Sequence, residues 1–277
     1  MFVGLTQVAV NQRRFAGSHT LRSRAPTAHS ESSSHCMTPM SKQPNWDLIT
    51  GIVLDAVGTL IKPVPSVADA YTEAARRQGV ELNRDEVRAR FNRHFQSDEV
   101  RGDRGIHSTD EATELWRWRR IVTKVLPEVP DPQRTFAELW DHFGRPESWQ
   151  CFPDVAPALR AIHEAGIAVC VGSNFDGRLR RVVMGLPDLS WAVDALVISS
   201  EVGFRKPHAS FFEAVCQRLG LPAWQILCVG DDLENDVRGA MRAGLSALLL
   251  DRGAERPHDF PHVPDLTALL DSRLAEA

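Results

Sequence analysis

The sequence predicts an α/β protein, a parallel sheet core interrupted by a block of helices, and three observations carry this. Short apolar runs, seen in GIVLDAVGTL from Gly51, IAVCVGS from Ile167 and ILCVG from Ile226, stop at an acidic or small residue, as buried parallel strands do. From Cys151 onward such runs alternate with helical segments: DVAPALRAIHEAG, a helix near Arg178 to Met184, ALVISS, SFFEAVCQRLG, ENDVRGAMRAG and LSALLL. That alternation argues for parallel strands with helices on both faces. Between Pro63 and Gln150, by contrast, helix follows helix with no strand-like alternation.

Taken in order, the first forty-odd residues stand apart. They carry Arg13, Arg14, Arg22 and Arg24, many Ser and Thr, and a single acid, Glu31. Residues 1–45 therefore read as a disordered extension or a targeting segment of mitochondrial or plastid type, or as the product of a start placed upstream of Met37 and Met40. Ile52–Leu54 is a short strand ended by the breaker Gly58. Pro63 and Pro65 close that segment, and Val67, Tyr71 and Ala74 share one face of a helix ending at Gly79. Asn83 and Glu86 have the spacing of a capping box ahead of Val87, Phe91 and Phe95. A third helix is expected from about Asp110 to Leu126, and a fourth from Asp131, with Pro132 at its first position, to Gly144.

The bulk numbers exclude several classes. The 277 residues, 43% hydrophobic and 25% charged, describe an ordinary globular chain long enough for a full core. A net charge of −4 leaves no overall basic footprint for nucleic acid, and no run approaches eighteen apolar residues, so no membrane partner is expected. Cys36, Cys151, Cys170, Cys216 and Cys228 are odd in number and scattered, without metal-ligand spacing. A reducing compartment, the cytoplasm, is the simplest location. Nothing in the sequence sets an oligomeric state.

The chemistry begins at Asp55, delivered to the carboxyl end of the first strand, where open α/β sheets bind ligands. Such a carboxylate is a candidate nucleophile, or an acid that bonds its own Gly58-Thr59 turn. Asp231 and Asp236 flank a helix start, where aspartates also serve as caps. Trp116, Arg117, Trp118, Arg119 and Arg120 cluster on the third helix. Trp118, Ile121 and Val125 have core spacing, the tryptophans read as packing, and most of the arginines read as solvated, with one of them a candidate to reach an anionic substrate.

Four segments in fixed order resemble the motifs of the haloacid dehalogenase superfamily. The first is GIVLDAVGTL with Asp55, the second IAVCVGSNFD with Ser173 and Asn174, the third GFRKPHASFF with Lys206, and the fourth ILCVGDDLENDVRGAMRAG with Asp231 and Asp236. The wording SNFDGRL and FRKPHASFF further resembles the subgroup that includes the rhythmically expressed gene product. The resemblance implies a Rossmann-like core in residues 46–62 and 150–277, with a four-helix lid inserted at 63–149. It also implies Mg²⁺ held by Asp55, the Val57 carbonyl, Asp231 and Asp236, with Asp232 in support. Lys206 would then balance the gathered negative charge, and Ser173 would join the catalytic groups. Gly58, Thr59 and Asn174 would contact a small phosphorylated substrate.

One position departs from that pattern. The family's phosphatases carry a second aspartate two residues after the nucleophile, where this chain has Val57. General acid–base assistance is worth about 10²–10⁴-fold, and valine cannot transfer a proton. The sequence is thus consistent with a Mg²⁺-dependent phosphohydrolase acting through an aspartyl phosphate, or with a weakly active Mg²⁺-binding regulatory protein. A 2-haloacid dehalogenase-type hydrolase is the third reading. The resemblance makes the last less apt, because those enzymes carry an aromatic residue at this position and lack the Gly-Asp form of the fourth motif. Phosphonate cleavage would need a lid lysine, and Lys124, alone in the insert, has no supporting context.

Overall fold

The computed structural model describes residues 44–97, 101–102, 105–191, 193–253 and 260–269; the expected N-terminal extension lies outside them, apart from its last two residues. In chain order the elements are β1 (Gly51–Leu54), β2 (Ile61–Pro63), α1 (Val67–Arg76), α2 (Arg84–Ser97), β3 (Arg101–Gly102), β4 (Gly105–Ile106), α3 (Glu111–Val125) and α4 (Pro132–His142). They continue with β5 (Trp149–Cys151), α5 (Val155–Glu164), β6 (Ala168–Ser173), α6 (Arg178–Gly185), α7 (Pro187–Ser190), β7 (Ala195–Ile198) and α8 (Ser199–Val202). The last are α9 (Ala209–Leu219), β8 (Ile226–Gly230), a π-helical turn at Leu233–Arg238, α10 (Gly239–Arg242), β9 (Ser246–Leu250) and β10 (His262–Val263).

Six of these strands form one parallel sheet in the order β10-β9-β8-β1-β6-β7. Successive side chains on a strand point to opposite faces, and both faces here are covered. Ile52 and Leu54 of β1 join Leu159 and Ile162 of α5 and Leu179 and Val182 of α6 in one apolar layer. Val53 joins Phe211, Phe212 and Val215 of α9 in the other. Burial on both sides explains why these strands read as unbroken apolar runs.

The chain leaves the sheet through β2 and returns through β5, which pair antiparallel with Ile61 opposite Cys151. Between them α1 to α4 bury a core of their own, with Tyr71, Val87, Ile121, Val125, Phe136 and Leu139 at its centre. Ser66 caps α1, Asp110 caps α3 and Asp131 caps α4 through side-chain oxygens that accept backbone N–H groups. At Asn83 only half of the expected box forms. Its Oδ1 accepts from Asp85 and Glu86 N–H, while the Glu86 carboxylate turns to Arg90, 2.6 Å away.

The insert also holds the two-residue hairpin β3–β4, which alternation could not reveal because the strands are too short to show a period. Glu114, Arg117 and Arg205 are buried, with Glu114 0% exposed and Arg117 5% exposed. Arg117 is thus the exception among the three arginines of α3, buried where Arg119 stays exposed. Packing is the wrong reading for Trp116, which is 58% exposed. Trp116 and Arg117 sit one position apart, about 100° round the helix, and here that turn takes Trp116 off the buried face.

Candidate active site

β1 and β8 run side by side and end level with each other, Leu54 opposite Val229, so the residues that follow them emerge at the same edge of the sheet. Asp55 follows β1 and Asp231 follows β8. Asp55, Asp231 and Asp236 each offer an oxygen within 4.8 Å of the others. Gly58 makes this approach feasible. It has φ of 97°, and a Cβ there would overlap the Asp231 carboxylate. Gly230 is constrained in the same way by the Asp236 side chain.

Lys206 reaches between the acids. Its Nζ donates to Asp55 Oδ1 at 2.7 Å, to Asp236 Oδ1 at 2.6 Å and to the Gly172 carbonyl at 2.9 Å, and the side chain is buried. Burial favours its neutral form, but the Asp236 and Asp55 charges outweigh burial and hold its pKa above the usual lysine value. Burial pushes the Asp55 carboxyl upward, Lys206 opposes that push and the charge of Asp231 adds to it. Asp236 is likewise raised by burial against the pull of Lys206.

The remaining expected site residues divide by what they touch. Ser173 is buried and lines the same cavity as Asp55, Val57, Gly58 and Lys206. Asn174 frames the lysine: its Oδ1 accepts from Lys206 N–H at 2.8 Å and its Nδ2 donates to the Lys206 carbonyl at 3.0 Å. Thr59 is fully buried and donates to Asp231 Oδ1 at 3.3 Å. Its side chain therefore supports an acid where a substrate contact was expected. Asp232 caps the π-helical turn, accepting from Glu234 and Asn235 N–H at 2.9 Å.

The carboxylates form one end of a cavity of about 720 Å³, which lies within the usual range for ligand pockets. Nine aromatic side chains line it: Tyr71, Phe91, Phe95, Trp118, Phe136, Trp140, Phe143, Trp149 and Phe175. Arg117, Arg178 and Arg205 line it as well. Arg205 pairs with Glu114 at 2.6 Å, and Thr109 donates to the same Glu114 oxygen at 2.7 Å. Arg178 holds Asp176 through two bonds and lies 3.3 Å from the centre of the Trp140 ring. Arg117 is 4.9 Å from the Phe95 ring centre and 5.2 Å from that of Trp118. Burial and the Arg205 charge lower the Arg117 pKa to about 10.

Sequence reasoning missed Arg205 and Glu114. The signal available was Arg205 beside Lys206 in a segment that buries both.

The donor set suits a hard divalent cation. It is all carboxylate, and both Asp236 oxygens accept hydrogen bonds, one from Lys206 Nζ and one from Asp232 N–H. Asp55 and Asp231 could hold such an ion between them; Mg²⁺ takes one or two carboxylates beside substrate oxygens.

The chain is 27% identical over 218 residues to haloacid dehalogenase-like hydrolase domain-containing protein 3 of Danio rerio, covering 76% of this chain and 89% of that protein. It is 28% identical over 248 residues to a phosphoserine phosphatase of Thermus thermophilus, covering 82% of this chain and 98% of the relative. Among solved structures, L-2-haloacid dehalogenase from Xanthobacter autotrophicus superposes with a TM-score of 0.64 at 19% identity, over 83% of this chain and 100% of that one, a likeness of fold. The haloacid dehalogenase-like hydrolase family model matches residues 49–244, and with Asp55, Lys206 and Asp231 gathered at one sheet edge the chain belongs to that family of hydrolases.

Proposed function

We propose that the protein is a Mg²⁺-dependent phosphohydrolase that cleaves phosphate monoesters through an aspartyl phosphate at Asp55, with residues 63–149 serving as a lid. The observation that carries this reading is the closeness of Asp55 and Asp231, whose oxygens lie within 4.8 Å. Displacement of halide from carbon needs one carboxylate nucleophile, and a second acid so near it would only repel an anionic substrate. A pair of acids is useful where a cation joins them to phosphate oxygens. Bound there, Mg²⁺ would supply charge to a substrate phosphoryl group.

The chain's own residues account for the rest. An Asp55 oxygen attacks phosphorus and the bond from phosphorus to the alcohol oxygen breaks. The departing alkoxide takes its proton from water, since Val57 has none to give. Water then attacks the phosphorus of the aspartyl phosphate, the bond to Asp55 breaks and inorganic phosphate leaves. The net change is one ester and one water to one alcohol and one phosphate. Lys206 keeps Asp55 ionised and oriented, Asn174 fixes the Lys206 backbone, and Ser173 faces the transferring group.

A second reading draws on Val57 itself. Its side chain is 36% exposed and lines the cavity where a proton donor would stand. That favours slow turnover or a binding role, and good leaving groups would react best. The four described cysteines are all free, which supports a reducing compartment. Among the described residues no helix is long and apolar enough to cross a membrane.

The test is a panel of phosphate monoesters, acyl phosphates and 2-haloacids, each with and without Mg²⁺. Phosphate release that requires Mg²⁺ and stops in Asp55→Asn is the expected result. Halide release independent of Mg²⁺ would overturn the proposal.

A further inference from the structure

We propose that this cavity takes an organic phosphate whose alcohol portion carries a flat, uncharged or anionic aromatic ring, stacked on the strip formed by Phe91, Phe95 and Trp118. The inference rests on the phosphohydrolase reading and names its substrate class. Phe91 and Phe95 lie one turn apart on α2 with their rings stacked, centres 5.5 Å apart and planes 17° from parallel. Phe95 continues to Trp118 of α3 at 5.9 Å. The strip thus runs without a break across two helices.

Its exposure singles it out. Phe91 and Trp118 pack against the insert's core yet stay part-exposed, and Phe95 is 40% exposed. All three line the same cavity as Asp55. A protein that needed these rings only for packing would bury them, because aromatic surface left in water forfeits its burial energy. A phosphorylated three-carbon acid would fill a small part of about 720 Å³ and leave the strip wet. A ring joined to the phosphate by a short chain would bring apolar surface into the cavity that Asp55 and the strip share.

Charge limits the ring further. Arg117 lies against Phe95 and Trp118, whereas Arg205 and Arg178 line the cavity paired with Glu114 and Asp176. A cationic ring on the strip would meet the Arg117 guanidinium in a site of reduced solvent screening. A neutral or anionic one meets no such opposition.

The test uses the purified full chain with Mg²⁺ and three esters with matched primary alkoxide leaving groups: propyl, 3-cyclohexylpropyl and 3-phenylpropyl phosphate. Because the leaving groups match, the missing acid at Val57 weighs equally on all three. The kcat/KM for the phenyl ester should exceed that for the propyl ester by about tenfold or more and that for the cyclohexyl ester by about threefold. Phe95→Ala should reduce the phenyl-to-propyl ratio at least threefold, and its exposed site leaves the fold intact. Calorimetric titration with 3-phenylpropylphosphonate and propylphosphonate, which cannot be hydrolysed, should show the same order. Hydrolysis of all three esters at equal kcat/KM would overturn the inference and leave the phosphohydrolase reading standing. Equality of the phenyl and cyclohexyl esters would overturn recognition of the ring. A tenfold phosphonate preference without hydrolysis of any ester would sustain the inference about the cavity and sink the phosphohydrolase reading.

Discussion

On the sheet side of the cavity, Asp55 and Asp231 arrive from the ends of β1 and β8, Asp236 from the π-helical turn and Lys206 from the loop before α9, and contacts of 2.6 and 2.7 Å fix Lys206 between two acids. On the insert side, Phe91, Phe95 and Trp118 belong to two helices whose main business is packing on one another, and the cavity meets the faces left over. The first wall depends on charge placed to within a fraction of an ångström. The second depends on apolar area, which is non-directional. Changes to the sheet wall should therefore abolish chemistry or stability, whereas changes to the insert wall should grade affinity and selectivity.

The comparison breaks most readily at Asp55. Asp55→Asn should lower phosphate ester hydrolysis by more than about 10⁴-fold, as loss of a covalent nucleophile does, with an unchanged circular dichroism spectrum. Residual activity within tenfold of the parent would remove Asp55 from the mechanism and with it the contrast between the walls.

Lys206→Met tests the same wall through stability. Without the ammonium group, Asp55 and Asp236 face each other buried and unpaired, and breaking a buried ion pair costs about 3–5 kcal/mol. The urea midpoint should fall accordingly. A loss under about 1 kcal/mol would mean that the acids re-protonate or admit water cheaply, so that charge placement matters less than the distances suggest.

Val57→Asp sharpens the contrast by adding a polar function where the two walls meet. Hydrolysis of alkyl phosphates should rise by up to about 10²-fold, short of the full range because the pocket is not shaped around a carboxylate. Aryl and acyl phosphates, whose leaving groups need no proton, should change little. Parallel kinetics on the two ester classes decide it, and an unchanged alkyl rate in a folded variant would place the proton donor elsewhere.

The smallest effect belongs to the insert's rim. Hydrogen bonds from Arg84 and Ser66 hold the Asp69 carboxyl down to about 2. Asp69 therefore stabilises the fold above the usual aspartate pKa near 3.8, and that contribution fades as pH falls from there through 2. The pair is exposed, so Asp69→Asn should lose only about 0.5 kcal/mol at pH 7 and a small fraction of that at pH 2. Urea titrations at both pH values would show it, and an equal loss at the two would assign the effect to the helix cap instead.

The two walls also differ in how far the sequence disclosed them. Asp55, Ser173 and Asp231 stand at the ends of apolar runs, so strand ends pointed to them, whereas Lys206 was legible only through the motif order. Thr59 and Asn174 sat in the same motifs, but spacing does not tell a group that touches substrate from one that orients a neighbour: Thr59 bonds Asp231, and Asn174 both bonds the Lys206 backbone and lines the cavity. The insert wall was hidden for another reason. Trp118, Ile121 and Val125 repeat as a packed helix face repeats, and nothing in the period says that part of that face stays open. Arg117 looked solvated because a charged residue on a helix usually is. Its burial beside Phe95 of the neighbouring helix arises only once the two helices pack.

The place of β1 has one more consequence. It lies between β6 and β8, with Gly51 paired to Ala168 on one side and to Ile226 on the other, yet a ribosome makes it first. At roughly 5–20 residues per second, on the order of ten seconds pass before its first neighbour emerges. The insert can fold within that interval, since its contacts are local. Meanwhile an apolar strand waits with both edges bare, the kind of segment that invites pairing with another nascent chain. The run is short and ends on a charge at Asp55, and a charge in that place deters such association. The residue assigned the chemistry in the finished enzyme thus also guards its most vulnerable strand while the chain is being made.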